Sequence, residues 1–180
     1  MRKVFHRLNL ISVICIVICL CIFDLLFFSV KKGENMKITT DFEHNGNIPS
    51  KYTCDGEDIA PVSNISGVPA GTKELVLIVD DPDCPIGTWV HWLLYNLPAD
   101  TTVIDNNNLP QGTLEGFTDF KRLGWGGPCP PNGVHRYFFK LYALNEKINL
   151  KEGAKKSELE NAMRDKVIEK TELIGLYKRK

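Results

Sequence analysis

The sequence predicts a mostly β protein: an antiparallel β-sandwich with a C-terminal helix, preceded by one N-terminal transmembrane helix. Leu75 to Val79 is a continuous apolar run rich in β-branched residues, the pattern of a strand buried on both faces. Short strand-like segments recur between glycine- and proline-rich turns, and a helical spacing of apolar residues appears once, near the end. A span of about 20 apolar residues opens the chain.

That span is Leu10 to Val30, with Asp24 its one acid. Arg2, Lys3 and Arg7 precede it, and Lys31 and Lys32 follow it. No small-residue cleavage site stands after it, so an uncleaved single-pass anchor is expected, with the excess of basic residues before it favouring an outward-facing domain. The alternative is translation starting at Met36, which would make the protein cytoplasmic. Residues 1–35 are assigned to this anchor and its linker, and residues 36–180 to one globular domain.

Within the domain, Lys37 to Glu43 reads as a strand, and Asn45-Gly46-Asn47 with Pro49 as a turn. The loop Tyr52 to Pro61 holds Asp55, Glu57 and Asp58, but their spacing does not fit a calcium loop and Asx turns are expected. Asp80-Asp81-Pro82-Asp83 ends the central strand, because proline cannot donate to a sheet ladder. Trp89 to Leu97 then alternates, placing Trp89, His91, Leu93, Tyr95 and Leu97 on one face. Pro98 to Gly116 is a polar surface connection. Gly124 to Gly133 is dense in glycine and proline, which offers backbone N–H groups to a ligand; no Gly-Lys-Ser/Thr follows, so it is not a P-loop. His135 to Leu144 is a second core strand, with His135, Tyr137, Phe139, Leu141 and Ala143 on one face. Ser157 to Glu160 has capping-box form, and Leu159, Met163 and Val167 place a helix to about Lys170. Leu173 to Tyr177 closes the domain as a strand.

Formal net charge is zero, with 22 basic and 22 acidic residues, so the balance gives no support for a nucleic-acid partner. Asp81 and Asp83 follow one core strand, Trp89 and His91 begin the next, and His135 and Tyr137 follow the glycine–proline loop. Two imidazoles, a phenol and loop N–H groups make a donor set for an anion such as phosphate, with a carboxylate orienting an imidazole and keeping it protonated. Two satisfied core histidines and two turn aspartates are the plainer account of the same residues. A metal triad lacks any short-spaced ligand pair, so no metal is expected. Cys84 and Cys129 are candidate nucleophiles with no helix N-terminus evident beside them.

These residues resemble the phosphatidylethanolamine-binding protein family, also called Raf kinase inhibitor-like, in its bacterial and archaeal branch. The resemblance runs from about Met36 to Lys180. It rests on YTCDGEDIAP from Tyr52 to Pro61, Asp-Pro-Asp-x-Pro from Asp81 to Pro85, Trp-x-His from Trp89 to His91, and GPCPPNGVHRYFFKLYAL from Gly127 to Leu144. It implies a two-sheet sandwich with a small anion pocket at one end, lined by Asp81, Asp83, Trp89, His91, Gly127, Pro128, Pro130, Pro131, His135 and Tyr137. Ala60, Ile65 and Cys84 depart from the usual serine, tryptophan and alanine, and Cys84 narrows or polarises the pocket wall.

The expected function is therefore non-enzymatic binding of a phosphorylated or other anionic small ligand, such as a phospholipid head group, with no cofactor. The alternative is an inhibitor of a kinase or protease that works through a protein partner, with the pocket regulatory. A hydrolase using the His/Asp cluster is a third reading, and a homodimer stays open. Cys54, Cys84 and Cys129 are an odd number, so at least one stays unpaired within the domain. An outward-facing domain would permit a Cys54–Cys129 disulfide; otherwise three buried thiols are expected.

Overall fold

The structure is a computed structural model that describes residues 35–179. Nine strands and one α-helix form among the described residues: β1 Lys37–Thr39, β2 Gly46–Asn47, β3 Ser63–Ser66, β4 Glu74–Asp81, β5 Trp89–Leu97, β6 Val103–Ile104, β7 Leu114–Glu115, β8 His135–Leu144, α1 Lys156–Met163 and β9 Val167–Tyr177. They make a mostly β fold of two sheets with a C-terminal helix. The larger sheet has the order β2-β9-β8-β4-β5-β7 and the smaller β1-β3-β6. Pairing is antiparallel apart from β2 with β9. The expected anchor, Leu10 to Val30, lies outside the described residues; within them no helix is long and apolar enough to cross a membrane.

β4 is central because it is apolar on both faces. Leu75, Val76, Leu77, Ile78 and Val79 are all fully buried. Leu75, Leu77 and Val79 join Trp92, Phe139 and Leu141 against Ile38, Ile65 and Ile104 of the smaller sheet. Val76 and Ile78 join Leu93 and Tyr95 on the opposite face, under Leu159 and Met163 of α1. Each such side chain contributes about 1.5–3 kcal/mol by leaving water. The sandwich thus carries two cores, one between sheets and one beneath the helix.

The even alternation expected along β5 is interrupted twice. Leu75 pairs with Leu97 but Leu77 with Leu94, and Val79 pairs with Trp92 but Asp80 with Val90. At the first irregularity Asn96 takes a φ of 56°, which asparagine tolerates. Leu97 therefore packs with Trp92 and Leu94 in the inter-sheet core, while Leu93 and Tyr95 face the helix. At the second, His91 is the residue without a partner, and this extra residue re-aims the histidine.

The helix is shorter than its apolar spacing implied. It ends at Met163, where Lys166 N–H turns back to the Met163 carbonyl. Val167 is 37 % exposed and starts β9, because Val167-Ile168 suits an extended chain and β8 offers a ladder from Leu144 to His135. The cap also moves: Glu158, not Glu160, accepts the Lys155 backbone N–H at 2.8 Å. β1 stops at Thr39, since Thr40 and Phe42 already bond within a turn.

Cys54 and Cys129, 75 positions apart in sequence, form a disulfide with their Cα atoms 5.4 Å apart. Cys54 N–H also donates to the Pro128 carbonyl at 3.1 Å, so bond and staple join the same two loops. Cys84 is the free cysteine among the described residues and is partly exposed.

Candidate functional site

Strand ends and loops converge on one end of the larger sheet. β4 delivers Asp81, β5 delivers Trp89 and His91, and β8 delivers His135 and Tyr137. The turn after β4 adds Cys84, the loop after β7 adds Phe120, and the glycine–proline loop adds Cys129, Pro130 and Pro131. Together they wall a cavity of about 200 Å³.

Asp81 is 3 % exposed and accepts a 2.7 Å hydrogen bond from Nδ1 of His135, which is 5 % exposed. A second Asp81 oxygen takes the Asp83 backbone N–H at 2.8 Å, which closes the turn below the site. With Nδ1 committed, Nε2 is the polar atom His135 has left for a ligand. His91 is held differently. Its Nδ1–H donates to the Gly126 carbonyl at 2.5 Å, and Gly126 N–H returns a bond to the His91 carbonyl at 3.0 Å. A carbonyl can only accept, so the neutral ring carries its proton on Nδ1 and a lone pair on Nε2. Burial lowers the His91 pKa against the opposing pull of the Gly126 carbonyl and the Asp81 charge. Burial thus disfavours the His91 cation, and the imidazole that a carboxylate orients, as expected of one of the two, is that of His135.

Tyr137 supplies the sharpest feature. It is 1 % exposed, and its hydroxyl finds no hydrogen-bond partner among the described residues. Burial first, then the Asp81 charge, pushes its pKa far up, so the phenol keeps its proton as a donor. The His91 ring stands edge-on to Tyr137 and Phe120, with centroids 5.1 and 5.4 Å apart. Phe120 in turn stands edge-on to Trp89 at 5.5 Å. Aromatic edges leave these polar atoms little to bond except what enters the cavity.

Seven expected pocket residues meet here: Asp81, Trp89, His91, Pro130, Pro131, His135 and Tyr137. Three do not line it. Asp83 turns to the surface, where Arg136 Nε and an Arg136 terminal nitrogen reach its two oxygens at 2.9 and 2.6 Å. That bond to Arg136 holds the Asp83 carboxyl below its usual range. Gly127 N–H is spent on Asp58 Oδ1 at 2.7 Å, and the Pro128 carbonyl on Cys54. The glycines serve close packing instead of ligand contact. A Cβ on Gly126 would meet the Phe120 ring, and one on Gly127 would meet the Tyr52 carbonyl, both within 2.4 Å. Asp55 and Asp58 likewise bond distant partners, Tyr177 and Gly127, where local Asx turns were expected. Cys84 and Cys129, named in the sequence as candidate nucleophiles, also line the cavity, and Phe120 was missed. Phe120 sits in an irregular loop with no periodicity, and Asp119 fixes it by accepting the Val90 backbone N–H at 2.7 Å.

A hollow of about 640 Å³ lies outside this cavity, beside α1. Two of its charged groups are bonded within the fold, Asp119 to Val90 and Lys156 to Asp80, and it gathers no buried polar group without a partner.

A two-sheet sandwich with a histidine- and tyrosine-lined cavity at one end defines a class of small binding domain. The family model for phosphatidylethanolamine-binding protein matches residues 38–178. The chain belongs to that family. A UPF0098 protein of Methanothermobacter thermautotrophicus is 48 % identical over 150 residues, covering 81 % of this chain and 99 % of its own. One from Pyrococcus horikoshii is 46 % identical, covering 81 % and 78 %. Among solved structures, a putative phosphatidylethanolamine-binding protein homologue from Chlamydia trachomatis superposes with a TM-score of 0.77 at 36 % identity, covering 81 % of this chain and 99 % of its own. These relatives place the chain in the bacterial and archaeal branch.

Proposed function

We propose that the domain binds a phosphorylated or other anionic small ligand in the cavity between His91, His135 and Tyr137, without turning it over. One observation carries this: the Tyr137 hydroxyl is a buried donor with no partner among the described residues. An unpaired buried hydroxyl costs about 1–3 kcal/mol, which a ligand oxygen would recover. The two imidazoles favour a phosphate over a plain carboxylate. Neutral His91 offers a lone pair at Nε2 and needs a donor. A phosphate monoester, with a second pKa of about 6, brings acceptor oxygens for Tyr137 and a proton for His91.

The test is a thermal-shift series on the full chain with inorganic phosphate, phosphoethanolamine and divalent metals. Stabilisation that grows with phosphate concentration by mass action supports the reading. Stabilisation by metals and by none of the anions overturns it. We also propose that Leu10 to Val30 anchors the domain on the outer face of a membrane, a placement in which the Cys54–Cys129 disulfide persists. Cell fractionation should recover the chain in membranes after alkaline washing; a soluble chain beginning at Met36 overturns the anchor.

A further inference from the structure

Cys84 is the one free thiol among the described residues, and it stands in the wall of the cavity itself. It is partly exposed, so a reagent can reach it. Its turn is fixed at both sides: Asp83 is held by Arg136 and by Asp81, and Gly87 N–H donates to the Cys84 carbonyl at 3.0 Å. The other sulfur in the wall, Cys129, is occupied by Cys54. The cavity therefore presents a single nucleophilic sulfur. Facing the same small volume is the unpartnered Tyr137 hydroxyl, 1 % exposed. The two carboxylates nearest in sequence are already matched, Asp81 by His135 and Asp83 by Arg136. An anionic group entering the cavity thus meets a donor while its other end lies against a thiol.

We propose that Cys84 captures small anionic disulfides covalently, with the anionic end seated at Tyr137 and the imidazoles; this rests on the anion reading above. The Cys84 thiol first gives its proton to solvent. The thiolate attacks one sulfur of the ligand's S–S bond. A Cys84–sulfur bond forms as the ligand's bond breaks, and the departing half leaves as a thiolate that takes up a proton. The protein sulfur is oxidised and the departing half reduced, so no further oxidant is required. In a cavity of about 200 Å³ the adduct occupies the space that phosphate would take. Thiolation thereby switches the binding function off, and reduction restores it.

The experiment treats the full chain with a matched pair of disulfides, bis(2-sulfoethyl) disulfide and bis(2-aminoethyl) disulfide, and maps the adducts by peptide mass. N-acetylcysteine and glutathione, each reacted separately with the two reagents, serve as reference thiols. After normalisation to them, Cys84 should favour the sulfonate reagent by about tenfold, the factor for about 1.4 kcal/mol of added hydrogen bonding. Inorganic phosphate should slow labelling at Cys84 and leave the reference thiols unchanged. Tyr137→Phe should shrink the preference. Equal normalised rates for the two reagents, or a faster amine, overturns the proposal. Phosphate-induced thermal shift, measured in parallel, separates the causes. If phosphate stabilises the chain and Cys84 shows no preference, capture is wrong and anion binding stands. If phosphate does neither, both fall.

Discussion

Asp80 and Asp81 are neighbours at the end of β4, yet they face opposite sides of the larger sheet and meet different partners. Asp80 is fully buried on the helix side, where Lys140 and Lys156 each bring an ammonium within 2.6 Å. Those lysines are about one-fifth exposed, so they shield the carboxylate while keeping contact with water. The set is saturated, and Lys156 pins the start of α1 to the sheet. Asp81 on the cavity side has one imidazole and one backbone N–H, and beside it stand a hydroxyl without a partner and two free ring nitrogens. Saturation marks the structural side, and leftover hydrogen-bonding capacity marks the binding side.

The cavity side compensates for what it leaves unbonded. Its loops are tied covalently by Cys54–Cys129, 75 positions apart in sequence. Cys54→Ser with Cys129→Ser should cost about 4.5 kcal/mol, the chain-entropy figure for a loop of that size. Urea denaturation of the oxidised parent and the variant measures it. A cost below about 1 kcal/mol would mean that the hydrogen bonds alone hold these loops.

The helix side should break next. Asp80→Ala removes the carboxylate between two lysines and should cost about 3 kcal/mol, at the low end for a broken buried pair because both ammonium groups reach water. Phosphate affinity should survive it. Asp81→Ala should show the reverse pattern, because His135 loses its orientation while the cation pair under α1 is untouched. If both variants lose phosphate binding equally, the two faces are not independent and the comparison fails.

Much of this division was legible in the sequence, and what was not has a common cause. Leu75 to Val79 declares its burial by composition, and every one of those residues is fully buried. His135 to Ala143 alternates as read. The irregularity at His91 is invisible locally, because it exists only relative to the partner strand. Val167 carried a helical spacing from Met163, but pairing with β8 outweighed it. The glycine N–H groups looked available to a ligand, yet their partners, Asp58 and His91, lie 69 and 35 residues away. Local pattern reveals strands; long-range hydrogen bonds decide which polar groups stay unspent.

Within the cavity, either His91→Ala or His135→Ala should weaken phosphate binding by about 1.5–3 kcal/mol, roughly 10- to 150-fold, the range for hydrogen bonds to charged groups. Calorimetric titration with phosphate measures it. The pair also sharpens the contrast between the two rings. His135→Asn should retain part of the affinity by keeping a donor toward Asp81. Unchanged affinity in both alanine variants would reduce the rings to core residues.

The smallest effect is a slope in stability with pH, and it belongs to His91. Burial lowers its pKa in the folded chain, against the favourable pull of the Gly126 carbonyl and of the charges on Asp81, Asp80 and Asp119. Unfolded, the same ring titrates near 6.5. Above that value both states hold a neutral ring and its contribution to stability is complete. As pH falls below about 6.5, the unfolded chain binds a proton that the folded chain refuses, so stability drops toward the lowered folded pKa. Glu74, whose carboxyl burial raises, acts with the opposite sign at acid pH. It is present in wild type and in His91→Gln alike, so the difference between the two isolates the histidine. Urea midpoints from pH 8 to pH 5 should fall more steeply for wild type than for His91→Gln. Phosphate should reduce the difference, since a bound anion favours the protonated ring. Parallel curves for the two proteins would show that His91 accepts its proton in the folded state and that burial does not hold it neutral.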